Sequence, residues 1–179
     1  MKFKILITGL IILSLSIYLL RIYIPDTKTA SGNELYSCGY VPYVDSFLCI
    51  DMDGKVLSVT DSVYDNLPVI EGLRFNNFTI GSYLETDNSE VFNTVASLIL
   101  LFKKYELGEN FINKINVADL DDIHLYTNNV EVAFGSEEDA DEKIRTLKEI
   151  IANLHVAENV KGLLDIRVIG RQYIFTVLT

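Results

Sequence analysis

The sequence predicts an α+β protein: a single N-terminal transmembrane helix followed by a mostly antiparallel sheet with two helices on one face. Three observations predict this fold class. An apolar run opens the 179-residue chain, several later segments alternate apolar and polar residues as strands do, and two segments carry apolar residues at helical spacing. The order of strands and helices favours an antiparallel sheet that helices cover on one side.

The apolar run extends from Ile5 to Ile24 and contains one charged residue, Arg21. About twenty apolar residues are enough to cross a bilayer as a helix. Arg21 lies near the outer end, where its aliphatic stem stays in lipid while its guanidinium reaches the headgroups. Lys2 and Lys4 place residues 1–4 in the cytoplasm as a short tip. We therefore expect a signal anchor at 5–24, with the C-terminal domain outside the membrane.

A cleaved signal peptide is the alternative to an anchor. It requires small residues one and three positions before the cut, and Ala30 has Lys28 at the second of these positions. Cys38 stands too far beyond the apolar run, without a lipobox, to accept a lipid. We therefore prefer the anchor, followed by a polar linker at 25–35 and a single folded domain at 36–179.

The part of the chain after Pro25 is strongly acidic. All 25 acidic residues and 12 of the 15 basic residues follow Pro25, which gives this part a formal charge of −13. Proteins that bind nucleic acid do so mainly through cationic contacts to phosphates, so nucleic acid is excluded as the expected partner. Solubility explains the acidity without a cationic substrate.

Two cysteines, Cys38 and Cys49, fall outside the membrane in this topology. If residues 42–45 form the loop of a hairpin, the two cysteines lie directly opposite each other on its strands, which permits a cross-strand disulfide. The alternative is two small buried thiols that stay reduced.

A second hairpin is predicted where residues 47–51 and 55–60 flank the turn Met52-Asp53-Gly54, because an Asp-Gly step supplies the positive φ angles of a tight turn. The same residues hint at a calcium loop. That motif needs a further ligand before the glycine and a later glutamate, so the turn is the preferred interpretation.

Two helices are predicted in the second half of the chain. Ser89 can cap a helix from Glu90 to about Glu106, with Gly108 marking its end. A second helix starts at Ser136, with Asp139 completing a capping box. Its buried face is formed by residues at helical spacing: Ala140, Ile144, Leu147, Ile151 and Leu154.

Between and after these helices, apolar and polar residues alternate as in strands within 122–126, 130–134 and 164–168, and 173–178 is a last apolar run. We predict strands at 112–119, 122–126 and 130–134, then at 163–168 and 173–178, with a turn at Gly170-Arg171. No internal repeat is visible in the sequence.

No constellation of residues predicts catalysis. His124 and His155 have no second histidine or cysteine at metal-ligand spacing, and no serine nucleophile lies between glycines. The junction Phe134-Gly135-Ser136 lacks the second glycine and the lysine of a phosphate loop. We therefore expect no enzyme activity, no metal or other cofactor and no small-molecule substrate.

Several short motifs, in this order, resemble the bacterial cell-division family FtsQ, called DivIB in Gram-positive bacteria. Residues 48–57 (LCIDMDGKVL) resemble the family's Asp-Gly hairpin, and 67–72 (LPVIEG) resemble its Leu-Pro-x-Ile-x-Gly. Residues 132–135 (VAFG), followed by Lys143-Ile144 and Leu147, resemble a strand ending in Leu-Gly and its Lys-Leu-x-x-Leu helix. Residues 164–167 (LDIR) resemble the family's Ile-Asp-Leu-Arg strand.

One feature departs from the family pattern. The family carries a complete POTRA domain between the membrane and this β domain, whereas here some 20 residues follow Ile24 before the first matching strand. Residues 35–41 resemble only the last POTRA strand. In the family the POTRA domain is associated with recruitment to the division site, so the resemblance leaves recruitment of this chain open.

The resemblance implies a non-enzymatic divisome scaffold at the cell membrane and the division septum. Its expected partners are two small bitopic division proteins, of the FtsL type and the FtsB/DivIC type, bound outside the membrane by the last strands of the domain. The candidate partner-binding residues are then Leu164, Asp165, Ile166, Arg167, Val168, Tyr173 and Phe175. The rival hypothesis is an anchored or secreted ligand-binding module that shares only the fold.

Overall fold

The described part of the chain starts at Ser37 and ends at Val177. The computed structural model describes residues 37–64, 67–107, 111–154, 161–170 and 173–177, all within one compact unit, Tyr36–Thr179. The predicted cytoplasmic tip, membrane segment and linker lie outside these ranges, as do Gly108 and His155. Within these ranges there is no helix long and apolar enough to cross a membrane.

Strands β1 (Ser37–Tyr43), β2 (Ser46–Asp51) and β3 (Val56–Thr60) form two successive antiparallel hairpins. The second is the predicted one. Gly54 has a φ of 80° in its turn, and Asp51 Oδ1 accepts hydrogen bonds from the N–H groups of Asp53 (3.0 Å) and Lys55 (2.8 Å). The Asp51 side chain thus bridges the backbone N–H groups of the turn, which confirms the turn interpretation.

The predicted register of the first hairpin is wrong. The turn consists of residues 44–45 alone, and Cys49 lies opposite Tyr40 instead of Cys38. Val44 adopts a φ of 51°, a left-handed conformation that allows a two-residue turn where the sequence suggested four loop residues. This shift removes the direct cross-strand pairing on which the predicted disulfide depended.

Both cysteines are thiols in the structure. Cys38 is fully buried in the hydrophobic core, and its Sγ donates a hydrogen bond to the carbonyl oxygen of Asp51 at 3.0 Å. Burial, with the nearby Asp51 carboxylate as a second cause, raises the pKa of the Cys38 thiol to about 12. Cys38 therefore remains protonated at neutral pH and is a poor nucleophile.

Strands β4 (Val69–Glu71) and β5 (Lys114–Asn116) pair in parallel, and helix α1 (Val91–Lys104) connects them. The predicted cap is wrong: the helix has no side-chain cap at its first turn, and Asn88 Oδ1 instead accepts a hydrogen bond from the N–H of Glu90 at 2.9 Å. The helical spacing of Val91, Val95, Leu98 and Phe102 predicts a shared apolar face. The structure confirms that these side chains are buried, and Phe92 and Ile99 are buried with them.

The remaining elements follow in the predicted order. They are β6 (Ile123–Tyr126), β7 (Val130–Gly135), α2 (Ala140–Leu154), β8 (Gly162–Asp165) and β9 (Ile174–Val177). Strand β8 ends before the predicted Val168, because the N–H of Arg167 turns back to Asp165 Oδ1 at 3.1 Å.

Helix α2 starts four residues later than predicted, at Ala140, so the capping box from Ser136 to Asp139 is absent. Asp139 has a φ of 55°, which interrupts a helix just before Ala140. The preceding turn is held by Lys143, whose Nζ donates a hydrogen bond to Ser136 O at 2.9 Å. Burial lowers the pKa of Lys143, while the charges of Asp139 and Glu138 oppose that shift.

The nine strands form one sheet in the order β3-β2-β1-β4-β5-β6-β7-β8-β9. The pairs β1–β4, β4–β5 and β7–β8 are parallel and the other five are antiparallel. This confirms the predicted mostly antiparallel sheet and its α+β class.

The helices cover one face of this sheet, here called the core face. A row of residues in direct register crosses that face: Ile70, Ile115, Leu125, Val132 and Leu164. All five are at most 1% exposed and share a single core with the buried side chains of α1 and α2. The other side of the sheet is here called the open face, and from β4 to β7 it carries mostly polar side chains, including Glu71, Lys114, His124 and Glu131.

Candidate partner-binding edge

Strand β9 is the last strand of the sheet, and no described residue pairs with its outer side. Two of its four side chains are large, apolar and exposed, Ile174 at 64% and Val177 at 57%. A strand edge with unpaired backbone groups and exposed apolar side chains is a template for another strand. The end of the sheet at β9 is therefore the candidate site for a partner chain.

The opposite edge, β3, is partly covered by its own chain. The N–H of Val56 donates to Ser82 O at 2.9 Å, and the N–H of Gly81 donates to Val56 O at 2.7 Å. The segment after β4 thus occupies the start of the β3 edge, which leaves β9 as the more accessible of the two.

The hydrogen bonds of β8 determine which β9 groups point outward. The N–H of Gly162 donates to Asn129 O (3.1 Å), and the N–H of Ile166 donates to Ala133 O (3.0 Å). Alternate residues of a strand direct their backbone groups to the same side, so residues 162, 164 and 166 point to β7 while 163 and 165 point to β9.

It follows that the hydrogen-bonded pairs with β9 are Leu163 with Thr176 and Asp165 with Ile174, which the register places opposite each other. The N–H and C=O groups of Phe175 and Val177 then point away from the sheet. These two residues supply the donors and acceptors that an added strand would use.

Phe175 attaches β9 to the rest of the domain. Its ring lies over Gly162, where an added Cβ would be 2.2 Å from Cζ of the ring, and it packs against the hydrophobic core together with Tyr173. The absence of a side chain at residue 162 therefore makes room for Phe175 and keeps β9 close to β8.

The structure separates the predicted partner-binding residues into three groups. The side chains of Leu164 and Ile166 are at most 1% exposed and belong to the core. Asp165 and Arg167 form an ion pair on the surface, and Val168 is half exposed beyond the end of β8. Tyr173 and Phe175 are half-buried at the β9 edge, which they form together with Ile174 and Val177.

Arg167 and Asp165 form a bidentate ion pair. Arg167 Nη2 donates to Asp165 Oδ2 at 2.6 Å and Nε donates to Oδ1 at 3.1 Å, while Nη1 lies 4.0 Å from Asp122 Oδ1. The stem of Arg167 passes over Gly135, where an added Cβ would be 3.1 Å from its Cγ. Asp165 and Asp122 contact the guanidinium, and Gly135 leaves room for the stem of Arg167, on the side of β8 that faces β7.

The ion pair shifts the pKa of both residues. The hydrogen bond from Arg167 lowers the pKa of Asp165, against a smaller opposing effect of burial. The hydrogen bond to Asp165 in turn raises the pKa of Arg167. Both groups are therefore charged throughout the physiological range.

Polar contacts continue across the open face from β7 to β4. Glu131 Oε1 lies 2.8 Å from His124 Nδ1 and accepts a hydrogen bond from the Tyr126 hydroxyl at 3.3 Å. The ammonium of Lys114 lies 4.2 Å from the centre of the Tyr126 ring and 3.2 Å from Glu71 Oε2. These polar side chains therefore pair with one another. No described group of three or more His, Cys, Asp or Glu residues is arranged to hold a metal ion.

A surface cleft of about 350 Å³ lies where β4 and β5 end and α1 begins. Its floor includes the buried Val91 and Val117, and its charged lining residues are all exposed: Arg74, Asp87, Asp119 and Asp121. Every buried side-chain nitrogen or oxygen in the described residues has a hydrogen-bond partner. Among the described residues, the cleft therefore contains no unpartnered buried side-chain group that would point to a particular ligand.

Three features of this edge were not predicted from the sequence. Ile174 and Val177 were part of a predicted apolar strand, but their exposure depends on the strand order. Gly162 and Asp122 reach Phe175 and Arg167 only in the fold. Because nearly every residue of 173–178 is apolar, the sequence carried no signal that separates inward from outward side chains there.

The comparisons with known proteins point to one solved structure. The chain is similar to the major extracytoplasmic domain of the trans isomer of the bacterial cell division protein DivIB from Geobacillus stearothermophilus, with a TM-score of 0.41 and 16% sequence identity. The match covers 69% of this chain and 97% of that chain. No protein-family model matches the chain, and no curated protein matches it.

Proposed function

We propose that this chain is a non-enzymatic scaffold of the bacterial division machinery, similar in role to FtsQ/DivIB. It binds small bitopic division proteins of the FtsL and FtsB/DivIC types outside the membrane, during septum formation. The proposal includes the predicted single span at 5–24, a cytoplasmic N-terminus and a position at the septum.

The β9 edge is the observation that carries the binding part of this proposal. Phe175 and Val177 direct their backbone groups outward, and the exposed side chains of Ile174 and Val177 lie on either face of the same strand. An extended segment of a partner can add to such an edge, with backbone hydrogen bonds for affinity and alternate side chains for specificity.

The link to division rests on the ordered sequence motifs, and several motif residues have definite structural tasks. Gly72, which ends the Leu-Pro-x-Ile-x-Gly motif, has a φ of 90° and lies so close to Ala118 that an added Cβ would be 2.3 Å from its backbone nitrogen. Gly135 has a φ of 75° beneath Arg167. Only glycine fits these positions without strain, which supports the motifs as parts of one shared fold.

A proline at residue 177 tests the proposal. Val177→Pro removes one outward N–H group and places a ring where the added strand would lie, yet it breaks no hydrogen bond to β8. Val177→Ala is the matched control, because it shortens the side chain and keeps the N–H. We expect the proline variant of the full chain to bind a DivIC-type protein at least about tenfold more weakly than the alanine variant, with unchanged stability toward urea.

Equal binding by the two variants would contradict strand addition at β9. A fluorescent fusion tests the division role separately: we expect signal at mid-cell, and a uniform membrane signal together with no co-purifying division protein would refute it. In that case the anchored ligand-binding module would become the better hypothesis, with the cleft at the start of α1 as the place to search for its ligand.

A further inference from the structure

Three neighbouring parallel strands end together at one end of the sheet. Strands β1, β4 and β5 are adjacent, with Tyr40 in register with Val69 and Val69 with Lys114. The segments that follow these strands approach closely, because an added Cβ on Gly72 would lie 2.3 Å from the backbone nitrogen of Ala118. These segments form what is here called the carboxyl-end surface: residues 43–45, 72–74 and 117–121.

The carboxyl-end surface is separate from the β9 edge, because five strands lie between β1 and β9 in the sheet. Binding sites in open sheets with parallel strands commonly lie outside the carboxyl ends of those strands. This surface is therefore a second candidate site on the domain.

Val44, in the turn after β1, presents an apolar side chain to solvent in a strained conformation. It is 86% exposed and has a φ of 51°, in a region that β-branched residues rarely occupy. Neither property favours folding, since an exposed side chain gains no burial and Gly or Asn would adopt this φ with less strain. Residues with such strain occur preferentially at functional sites. Val44 is therefore better suited to contact with another molecule than to stability of the domain.

The residues on both sides of Val44 are held in place. The centre of the Tyr43 ring lies 5.8 Å from that of the Phe75 ring and 4.9 Å from that of the Phe78 ring. On the other side of the turn, the Ser46 hydroxyl donates a hydrogen bond to the Tyr43 carbonyl oxygen at 2.9 Å. A molecule that contacts Val44 therefore has little of this turn to order on binding.

The surface cleft at the start of α1 lies beside this turn. Arg74 lines the cleft, and the next residue, Phe75, is the one whose ring stacks on Tyr43. Neighbouring strands are about 4.8 Å apart, so the ends of β1 and β5, two positions apart in the sheet, are separated by about 10 Å. Val44 and the apolar floor of the cleft at Val117 are thus within reach of one short peptide segment.

The rim of the cleft is negatively charged. Among its lining residues Asp87, Asp119 and Asp121 are exposed, and Arg74 is the single basic residue. These carboxylates would repel an anionic lipid surface or a nucleic acid. They would attract a lysine or arginine side chain, whose aliphatic stem can lie on the apolar floor.

From this arrangement we infer that the carboxyl-end surface is a second docking site, for an extended segment of a basic protein partner. The segment places an apolar side chain against Val44 and, two residues later, a lysine or arginine in the cleft. Alternate residues of an extended chain lie on the same side about 7 Å apart, and the long basic side chain spans the remaining distance. The inference goes beyond the proposed function, which places its partner at β9, and does not depend on it.

Two tripeptides of identical composition serve as probes. Acetyl-Leu-Ser-Lys-amide carries leucine and lysine on the same side of an extended chain, whereas acetyl-Ser-Leu-Lys-amide carries them on opposite sides. Each is titrated onto the ¹⁵N-labelled full chain in detergent micelles while the amide chemical shifts are followed. We expect the Leu-Ser-Lys peptide to shift amides of the carboxyl-end surface and to bind at least about threefold more tightly, because the other peptide makes only one of the two contacts.

Two substitutions locate the two contacts. Val44→Asn and Asp121→Asn should each weaken binding of the Leu-Ser-Lys peptide at least about threefold, whereas the matched controls Ile80→Asn and Asp53→Asn should leave it unchanged. Ile80 is 58% exposed beside the start of β3, and Asp53 lies in the turn between β2 and β3. Asparagine tolerates a positive φ better than valine does, so Val44→Asn should keep or raise the urea midpoint, which excludes unfolding as the cause of weaker binding.

Several results would overturn the inference. They are the absence of amide shifts at up to about 10 mM peptide, shifts confined to residues outside the carboxyl-end surface, equal affinity of the two tripeptides, and unchanged binding in Val44→Asn or Asp121→Asn. None of these results bears on β9, because the Val177→Pro experiment tests the proposed function with a different partner at a different part of the sheet.

Discussion

Gly162→Ala is the substitution that most sharply tests how β9 is attached. The added methyl group would lie 2.2 Å from Cζ and 2.6 Å from Cε2 of Phe175, and 2.8 Å from the carbonyl oxygen of Thr176. Carbon atoms in contact are about 3.5–4.0 Å apart, so the ring must move by roughly 1 Å or leave the core.

Such overpacking destabilises the domain by about 1–3 kcal/mol. The lower conformational entropy of alanine in the unfolded chain offsets about 0.5–1 kcal/mol of that loss. We therefore expect the free energy of unfolding of residues 36–179 to fall by about 1–2 kcal/mol, measured by urea denaturation.

The double variant Gly162→Ala/Phe175→Ala separates the ring contact from other effects. With the ring removed, the same methyl group meets only Thr176 O, so the cost of Gly162→Ala should shrink by at least about 0.5 kcal/mol. An unchanged cost in the two backgrounds, or stabilisation by the single substitution, would refute the placement of Phe175 over Gly162.

Further predictions concern the core, the surface ion pair and the cysteines. Leu164→Ala should lower the free energy of unfolding by about 2–5 kcal/mol, and a loss below 1 kcal/mol in urea denaturation would contradict its burial. The pKa of Asp165 is lowered in the folded state, so its pairing with Arg167 stabilises the domain above the ordinary carboxyl pKa, and this contribution is lost as the pH falls through the lowered value. When the free energy of unfolding is measured as a function of pH, the Asp165→Asn variant should lack this acid-dependent loss of stability. Thiol counting at pH 8 should give two thiols with and without reductant, and native Cys38 should resist maleimide until the domain unfolds, since burial raises its pKa to about 12.

Apolar periodicity predicted most of the fold. Residues 130–134 and 140–151 show clear strand and helix periods, and the structure places their apolar side chains in the core. Those patterns depend only on which side of an element faces water, which is a local property of the sequence.

Turn details could not be predicted in the same way. The first hairpin shifted because Val44 takes a positive φ, which few valines do, and α2 began late because Asp139 does the same. Positive φ is uncommon for residues other than glycine, so residue type alone did not indicate either conformation.

The candidate site depended on strand order, which no single segment encodes. Residues 164–168 were predicted to bind partners because the family resemblance points to the last strands of the domain, but β8 is paired on both sides and its Leu164 is buried.

The central claim is that a partner strand adds to β9. Amide hydrogen exchange of the full chain, measured with and without a bound DivIC-type protein, tests it most directly. We predict that the partner protects the outward amides of Phe175 and Val177, while those of Ile174 and Thr176 are already protected by β8. Binding that leaves the Phe175 and Val177 amides exchanging at their original rates would contradict the claim.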